Sequence, residues 1–206
     1  MLNADVLTFQ EFAMRETLPL SKIHQTVLEF LLGRKDVVLF GAQAVNAYVS
    51  EPRMTQDVDL LSTRAGEFAE ELREHLSEKF HIAVRVREVG DKGLRIYQVR
   101  KEGNRYLIDI RPVTEFPDTQ TIEEIQVLSP LELIASKVIS YHSRRGKPKS
   151  GTDWRDLAML LLRFPELKEK VSSALQAKNV GEAILETWAE LESQDFQPED
   201  DNDLIF

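Results

Sequence analysis

Aspartates are embedded in two apolar stretches of this chain, at positions where a buried strand normally carries none. One stretch is MTQDVDLLS, residues 54–62, with Asp57 and Asp59 one residue apart; the other is YLIDI, with Asp109 between Ile108 and Ile110. An ionised carboxylate is costly to bury without a partner. Strand alternation sends Asp57 and Asp59 to the same face, where they repel rather than relieve each other. A fold that tolerates all three must bring a cation to them. If a neighbouring strand carries Asp109 to the same spot, the ligand set is oxygen only and octahedral, which suits Mg²⁺ or Mn²⁺.

The surrounding pattern predicts where those strands lie. Apolar residues recur at helical spacing from Leu20 and stop at Gly33. DVVLFG reads as a buried strand ending in Gly41, AQAVNAYV as a short helix opened by that glycine, and DVDLLS as a second strand. Residues 65–80 read as an acidic surface helix. IAVRVREV and LRIYQVR alternate apolar with basic, as half-exposed antiparallel strands do. KEGN is a hairpin turn, and RYLIDIRP returns as a third run. Pro112 and Pro117 mark a linker, after which EIQVLS adds an edge strand. From Ser129 the chain turns helical, with SPLE as a capping box and Thr152 as the cap of TDWRDLAMLLLRF. Two more helices, near 165–177 and 180–193, complete a bundle.

The fold class expected is therefore α+β: a small mixed or antiparallel sheet with flanking helices, followed by a C-terminal helical bundle. The domains expected are a core over 1–128 that includes the N-terminal helices, a helical subdomain over 129–194, and an acidic flexible tail over 195–206. A chain of 206 residues without Cys has no disulfide framework, thiolate metal site or cysteine nucleophile. The four histidines show no ligand spacing, and Trp154 and Trp188 read as core. The first residues lack the pattern of a secretion signal, and no apolar run reaches the roughly 20 residues a membrane span needs. The expected location is the cytoplasm.

The net charge of −9 needs locating before it is used. Nine acids and no Lys or Arg lie between Glu182 and Phe206, so the preceding residues carry 26 acids against 26 bases and are neutral. Within that neutral body, Arg144, Arg145, Lys147 and Lys149 form an acid-free basic run. It reads either as a solvated helix end or as a loop that meets phosphates of a nucleotide or RNA.

The order is now fixed: a strand ending in glycine, a helix start, an Asp-x-Asp strand sixteen residues later, then a third aspartate on a later strand. A helix start beside a metal site suits a phosphate tail. This order resembles the polymerase-β-like nucleotidyltransferase superfamily. The residues LFGAQAVNAY, RMTQDVDL and LIDI, continued by LSPLELIASKV and TDWRDL, resemble most the AbiEii-type toxin nucleotidyltransferases. The resemblance spans about 38–162.

It implies a metal-dependent transfer of a nucleoside monophosphate from a nucleoside triphosphate to a hydroxyl, with RNA or tRNA as the acceptor and an antitoxin protein as partner. Asp57, Asp59 and Asp109 would hold Mg²⁺ or Mn²⁺. Gly41, Ala42, Gln43, Arg53, Thr55, Lys137, Asp153 and Asp156 would handle the nucleotide. Lys137 also reads as a snorkelling lysine. Asp153 and Asp156, three apart, share a helix face and read either as structural ion-pair partners of Arg155 or Arg144 or as groups set against Lys137 or the nucleotide. Arg53 either orients Asp57 or reaches a phosphate. Ala42 departs from the superfamily, which has Gly or Ser there; Ala offers a backbone N–H but no hydroxyl. The alternative is a non-catalytic nucleotide-binding or regulatory protein that keeps the fold.

Overall fold

A computed structural model describes Glu11, residues 17–90 and residues 93–198 of the chain. It divides into two compact units, Met1–Ser129 and Pro130–Phe206.

The first unit is built on a mixed sheet of seven strands among the described residues, ordered β3-β4-β5-β2-β1-β7-β6. The strands are β1 (Val37–Phe40), β2 (Val58–Ser62), β3 (Val84–Glu88), β4 (Leu94–Gln98), β5 (Arg105–Pro112), β6 (Thr119–Ile122) and β7 (Ile125–Leu128). β2 runs antiparallel to β1 and parallel to β5, and β1 is parallel to β7. Helix α1 (Leu20–Leu31) and helix α3 (Ala65–Phe80) pack against the sheet, while the short helix α2 (Gly41–Asn46) joins β1 to β2.

The alternation of β2 and β5 sets up two different faces. Val58, Leu60, Ile108 and Ile110 are completely buried, and with Phe68, Leu72 and Leu76 of α3 they form the core. Each such side chain contributes about 1.5–3 kcal/mol on burial. The opposite parity places Asp59 and Asp109 on the other face.

The second unit is helical: α4 (Pro130–Ser143), α5 (Lys149–Arg163), a 3₁₀ turn (Pro165–Leu167), α6 (Lys168–Ala177) and α7 (Glu182–Glu192). Its core holds Leu133, Ile134, Val138, Leu157, Leu160, Leu175, Trp188 and Leu191. Among the described residues no helix is long and apolar enough to cross a membrane.

Several local expectations need correction. The stretch expected to be a linker contains β6, whose Thr119 and Thr121 pair with Leu128 and Gln126. β7 is therefore not an edge; it lies between β1 and β6. Asp57 falls just before β2 rather than inside it. α5 begins at Lys149, because Pro148 already holds helical angles (φ −53°, ψ −35°) ahead of it. Thr152 is then an interior residue, and its hydroxyl donates to the Lys149 carbonyl instead of capping. Trp188 is core, but Trp154 is 41% exposed, with its ring against Phe196 and its Nε1 donating to Gln194. Of the expected tail, residues 199–206 lie outside the described residues.

Candidate active site

Strand register assembles the site. Asp59 is the direct partner of Asp109 across the parallel β2–β5 pair and of Phe40 across the antiparallel β1–β2 pair. Arg95 on β4 is the antiparallel partner of Asp109. One row, Arg95–Asp109–Asp59–Phe40, thus crosses four strands on one face, and the chain turns into α2 immediately after Phe40. Asp57 stands two residues before Asp59.

Gly41 makes room at the end of this row. Its φ is +70°, a region that glycine enters without cost. A Cβ built there would lie 2.1 Å from the Asp59 Oδ2 and 2.7 Å from its Cγ. The Asp59 carboxylate occupies the space that any side chain would fill. Gly41→Ala is therefore expected to displace Asp59 while the core persists. The nucleotide transfer that the sequence resemblance implies should then fall by about 10²-fold or more, with circular dichroism near that of the parent; full activity in Gly41→Ala would show that this close approach is dispensable.

Arg95 is the residue that sequence reasoning missed. Its Nε and Nη2 each lie 2.6 Å from one oxygen of Asp109, a two-pronged charge-assisted pair. Its pKa is raised, first by this bond with Asp109, and the nearby Asp57 charge adds to the effect. Its guanidinium also sits 4.6 Å from the Tyr106 ring centroid. Between Ile96 and Tyr97 the register slips by one, so Tyr97 pairs with Tyr106 and Leu107 is left over. That bulge re-aims Tyr106 toward Arg95. Arg111, on the same strand as Asp109, stacks over Phe40 at 4.9 Å. As they stand, no three His, Asp or Glu side chains among the described residues are gathered closely enough to hold a metal ion.

Gln43, Arg53 and Thr55 come together elsewhere in this unit. Gln43 Nε2 donates to Thr55 Oγ1 at 2.8 Å, and Asn46 bridges both backbone groups of Arg53. With His24 they line a cavity of ≈ 90 Å³. Arg53 Nη1 donates to the Met54 carbonyl. His24 is buried, and that burial, reinforced by the Arg105 charge, lowers its pKa to about 4. The unfolded chain, with an ordinary histidine near 6.5, takes up a proton that the folded chain refuses. Stability should therefore fall as pH drops from about 6.5 to about 4, by up to about 3 kcal/mol. Urea midpoints of the parent and His24→Gln should diverge in that window, the parent losing more.

Lys137, Asp153 and Asp156 lie in the helical unit. Lys137 Nζ is 2.6 Å from Asp156 and 3.4 Å from Asp153, and Arg144 Nη1 is 2.8 Å from Asp153. All but Arg144 are buried. Lys137 and Arg144 are seven residues apart, two helical turns, so both fall on one side of α4 and its extension. Two cations face two anions, the half-exposed Arg144 completing the charge balance of the three buried groups. Arg145 pairs with Glu190, while Lys147 and Lys149 are exposed.

A model of the family described as nucleotidyl transferase AbiEii toxin, type IV toxin–antitoxin system, matches residues 26–204. The chain belongs to this family. No curated protein matches it. Solved structures share the fold: JHP933 from Helicobacter pylori is 15% identical with a TM-score of 0.56, covering 91% of this chain and 90% of that one. The solution structure of the antibiotic-resistance factor ANT(2'')-Ia is 18% identical with a TM-score of 0.51, over 82% and 94% of the two chains. The Megavirus polyadenylate synthase is 13% identical with a TM-score of 0.60 over 75% of this chain, which spans only 34% of that enzyme. The nucleotidyltransferase identity of the family carries the chemistry; the neighbours carry the fold.

Proposed function

We propose that this chain moves a nucleoside monophosphate from a nucleoside triphosphate to a hydroxyl acceptor, releasing pyrophosphate. The observation that carries this reading is the in-register pairing of Asp59 with Asp109, with the Asp59 carboxylate seated in the space left by Gly41. Asp57, Asp59 and Asp109 would hold Mg²⁺ or Mn²⁺. The donor set fits these ions by its chemistry, carboxylate oxygen alone, with Asp59 and Asp109 on one sheet face and Asp57 just before β2. When bound, such an ion supplies positive charge where negative charge builds on the transferring phosphoryl group.

The chain's own groups do the rest. The acceptor oxygen bonds to the α-phosphorus, the bond from that phosphorus to the bridging oxygen breaks, and its electron pair leaves with pyrophosphate. Asp109 takes the acceptor hydroxyl proton. Backbone N–H groups of Gly41 and Ala42 hold the triphosphate. The Gln43 amide nitrogen is engaged by Thr55 and His24, so Gln43 and Thr55 act together to shape the loop before Asp57, with Arg53 fixed beside them. Within the helical unit Asp153 and Asp156 hold the Lys137 ammonium, and a nucleotide role for Lys137 rests on the family resemblance alone.

The family description, a toxin of a toxin–antitoxin system, supports a cognate antitoxin as partner; an RNA or tRNA acceptor and a cytoplasmic setting belong to the same proposal. Lys147 and Lys149, exposed beside Arg144 and Arg145, are the cations for an RNA backbone. Incubation with labelled nucleoside triphosphates, Mg²⁺ or Mn²⁺ and total RNA should label RNA, and Asp109→Asn should abolish the label. Label on protein or a small molecule would keep the transferase and discard the RNA.

A second reading is favoured by two observations: Arg95 engages both oxygens of Asp109, and Ala42 lacks a hydroxyl. A regulatory protein that binds nucleotide without turnover would have both. Tight triphosphate binding with no transfer to any acceptor would select it.

A further inference from the structure

Both oxygens of Asp109 are in use. Arg95 meets them with two separate nitrogens at 2.6 Å each, and the pair is only about a quarter exposed, at 23% and 26%. A carboxylate held by both prongs of a guanidinium has its best lone pairs directed at that group. A divalent cation at the same row requires those lone pairs. The second contact of Arg95 is the Tyr106 ring, brought to this face by the bulge at Leu107. Arg87 lies over the same tyrosine at 5.2 Å and donates to its hydroxyl at 3.2 Å, so the ring is held by a second guanidinium. A guanidinium that leaves Asp109 retains this aromatic face as a support.

We propose that Arg95 is a latch on the carboxylate row: Arg95 and a divalent cation compete for the two oxygens of Asp109, and release of Arg95 onto Tyr106 accompanies metal binding. This rests on the metal reading of Asp57, Asp59 and Asp109. Arg95 is then a positioning residue. It sets the metal concentration at which Asp109 becomes a ligand.

The test is Mn²⁺ binding to the full chain without nucleotide, followed by calorimetry and by the loss of the free-ion electron paramagnetic resonance signal. Arg95→Gln should bind Mn²⁺ about tenfold or more tightly than the parent, since a bidentate charge-assisted pair no longer opposes it. Arg95→Lys keeps the charge but loses the fork, and should recover most of that gain. Arg111→Gln, which removes a charge from the same face without touching Asp109, should change affinity far less than Arg95→Gln.

Four results would overturn the latch. Arg95→Lys binding like the parent while Arg95→Gln binds more tightly would reduce Arg95 to a source of electric field. Arg111→Gln matching the gain of Arg95→Gln would reduce it in the same way. Equal affinity in all variants, lost in Asp57→Ala/Asp59→Ala, would remove the latch and leave the metal site standing. No Mn²⁺ binding by the parent or by any Arg95 variant would remove the metal reading itself and the latch with it.

Discussion

Asp57→Ala/Asp59→Ala is expected to bind nucleoside triphosphate no more tightly with Mg²⁺ or Mn²⁺ than without, whereas the parent should gain affinity from either ion. Calorimetric titration of the nucleotide with and without the ion is the measurement. Transfer in the same variant should fall by at least about 10³-fold if the proposed metal site is correct, because the charge that develops on the phosphoryl group would lose its counter-charge. The thermal midpoint is the control. Asp59 lies between the buried Val58 and Leu60, and like charges one strand apart in register with Asp109 repel. Removing two of three carboxylates relieves that repulsion, and circular dichroism with the thermal midpoint reports whether the fold persists. Loss of metal-linked binding in a fold as stable as the parent separates a functional role from a structural one. A variant that binds Mg-nucleotide like the parent would discard the metal assignment.

What the sequence could reveal of this site has a clear physical boundary. The order of β1, Gly41, α2 and the Asp-x-Asp strand is local: apolar runs, a glycine and a change of period are written in adjacent residues. So is the helical half, where Lys137, Arg144, Asp153 and Asp156 fall on faces set by helix geometry. Pairing between distant strands is not local. Asp59 and Asp109 are separated by α3, β3 and β4, and their register depends on how those elements pack.

Arg95 illustrates the limit most sharply. Counting outward from the loop between β4 and β5, Gln98 pairs with Arg105 and Tyr97 with Tyr106. Continued evenly, that count sets Arg95 opposite Ile108, on the wrong face. The single extra residue at Leu107 shifts the pairing by one and delivers Arg95 to Asp109. A one-residue shift exchanges the faces of a strand, and nothing in LRIYQVR or RYLIDI announces it. β6 was hidden for a different reason. Its four residues, Thr119–Ile122, are half-exposed to exposed and mostly polar, so they lack the apolar alternation that marks a strand.

The buried charges of the helical unit carry the second large effect. Lys137→Met takes the 2.6 Å partner from Asp156 and one of two cations from Asp153, both carboxylates being at most 1% exposed. Breaking a buried pair on one side costs about 3–5 kcal/mol, because the remaining charge stays desolvated. The urea midpoint of Lys137→Met should drop accordingly, and Lys137→Met/Asp156→Asn should recover a large part of the loss, since charge balance returns. Equal stability of the parent and the single variant would show that these groups are not energetically coupled. The pair also decides what an inactive Lys137 variant means. Loss of transfer in the single variant is ambiguous between unfolding and a missing phosphate contact. The rebalanced double variant, folded but without the ammonium, separates the two: inactivity in it with Asp156→Asn alone still active supports a nucleotide role for Lys137, and retained activity makes Lys137 a counter-ion of the bundle and nothing more.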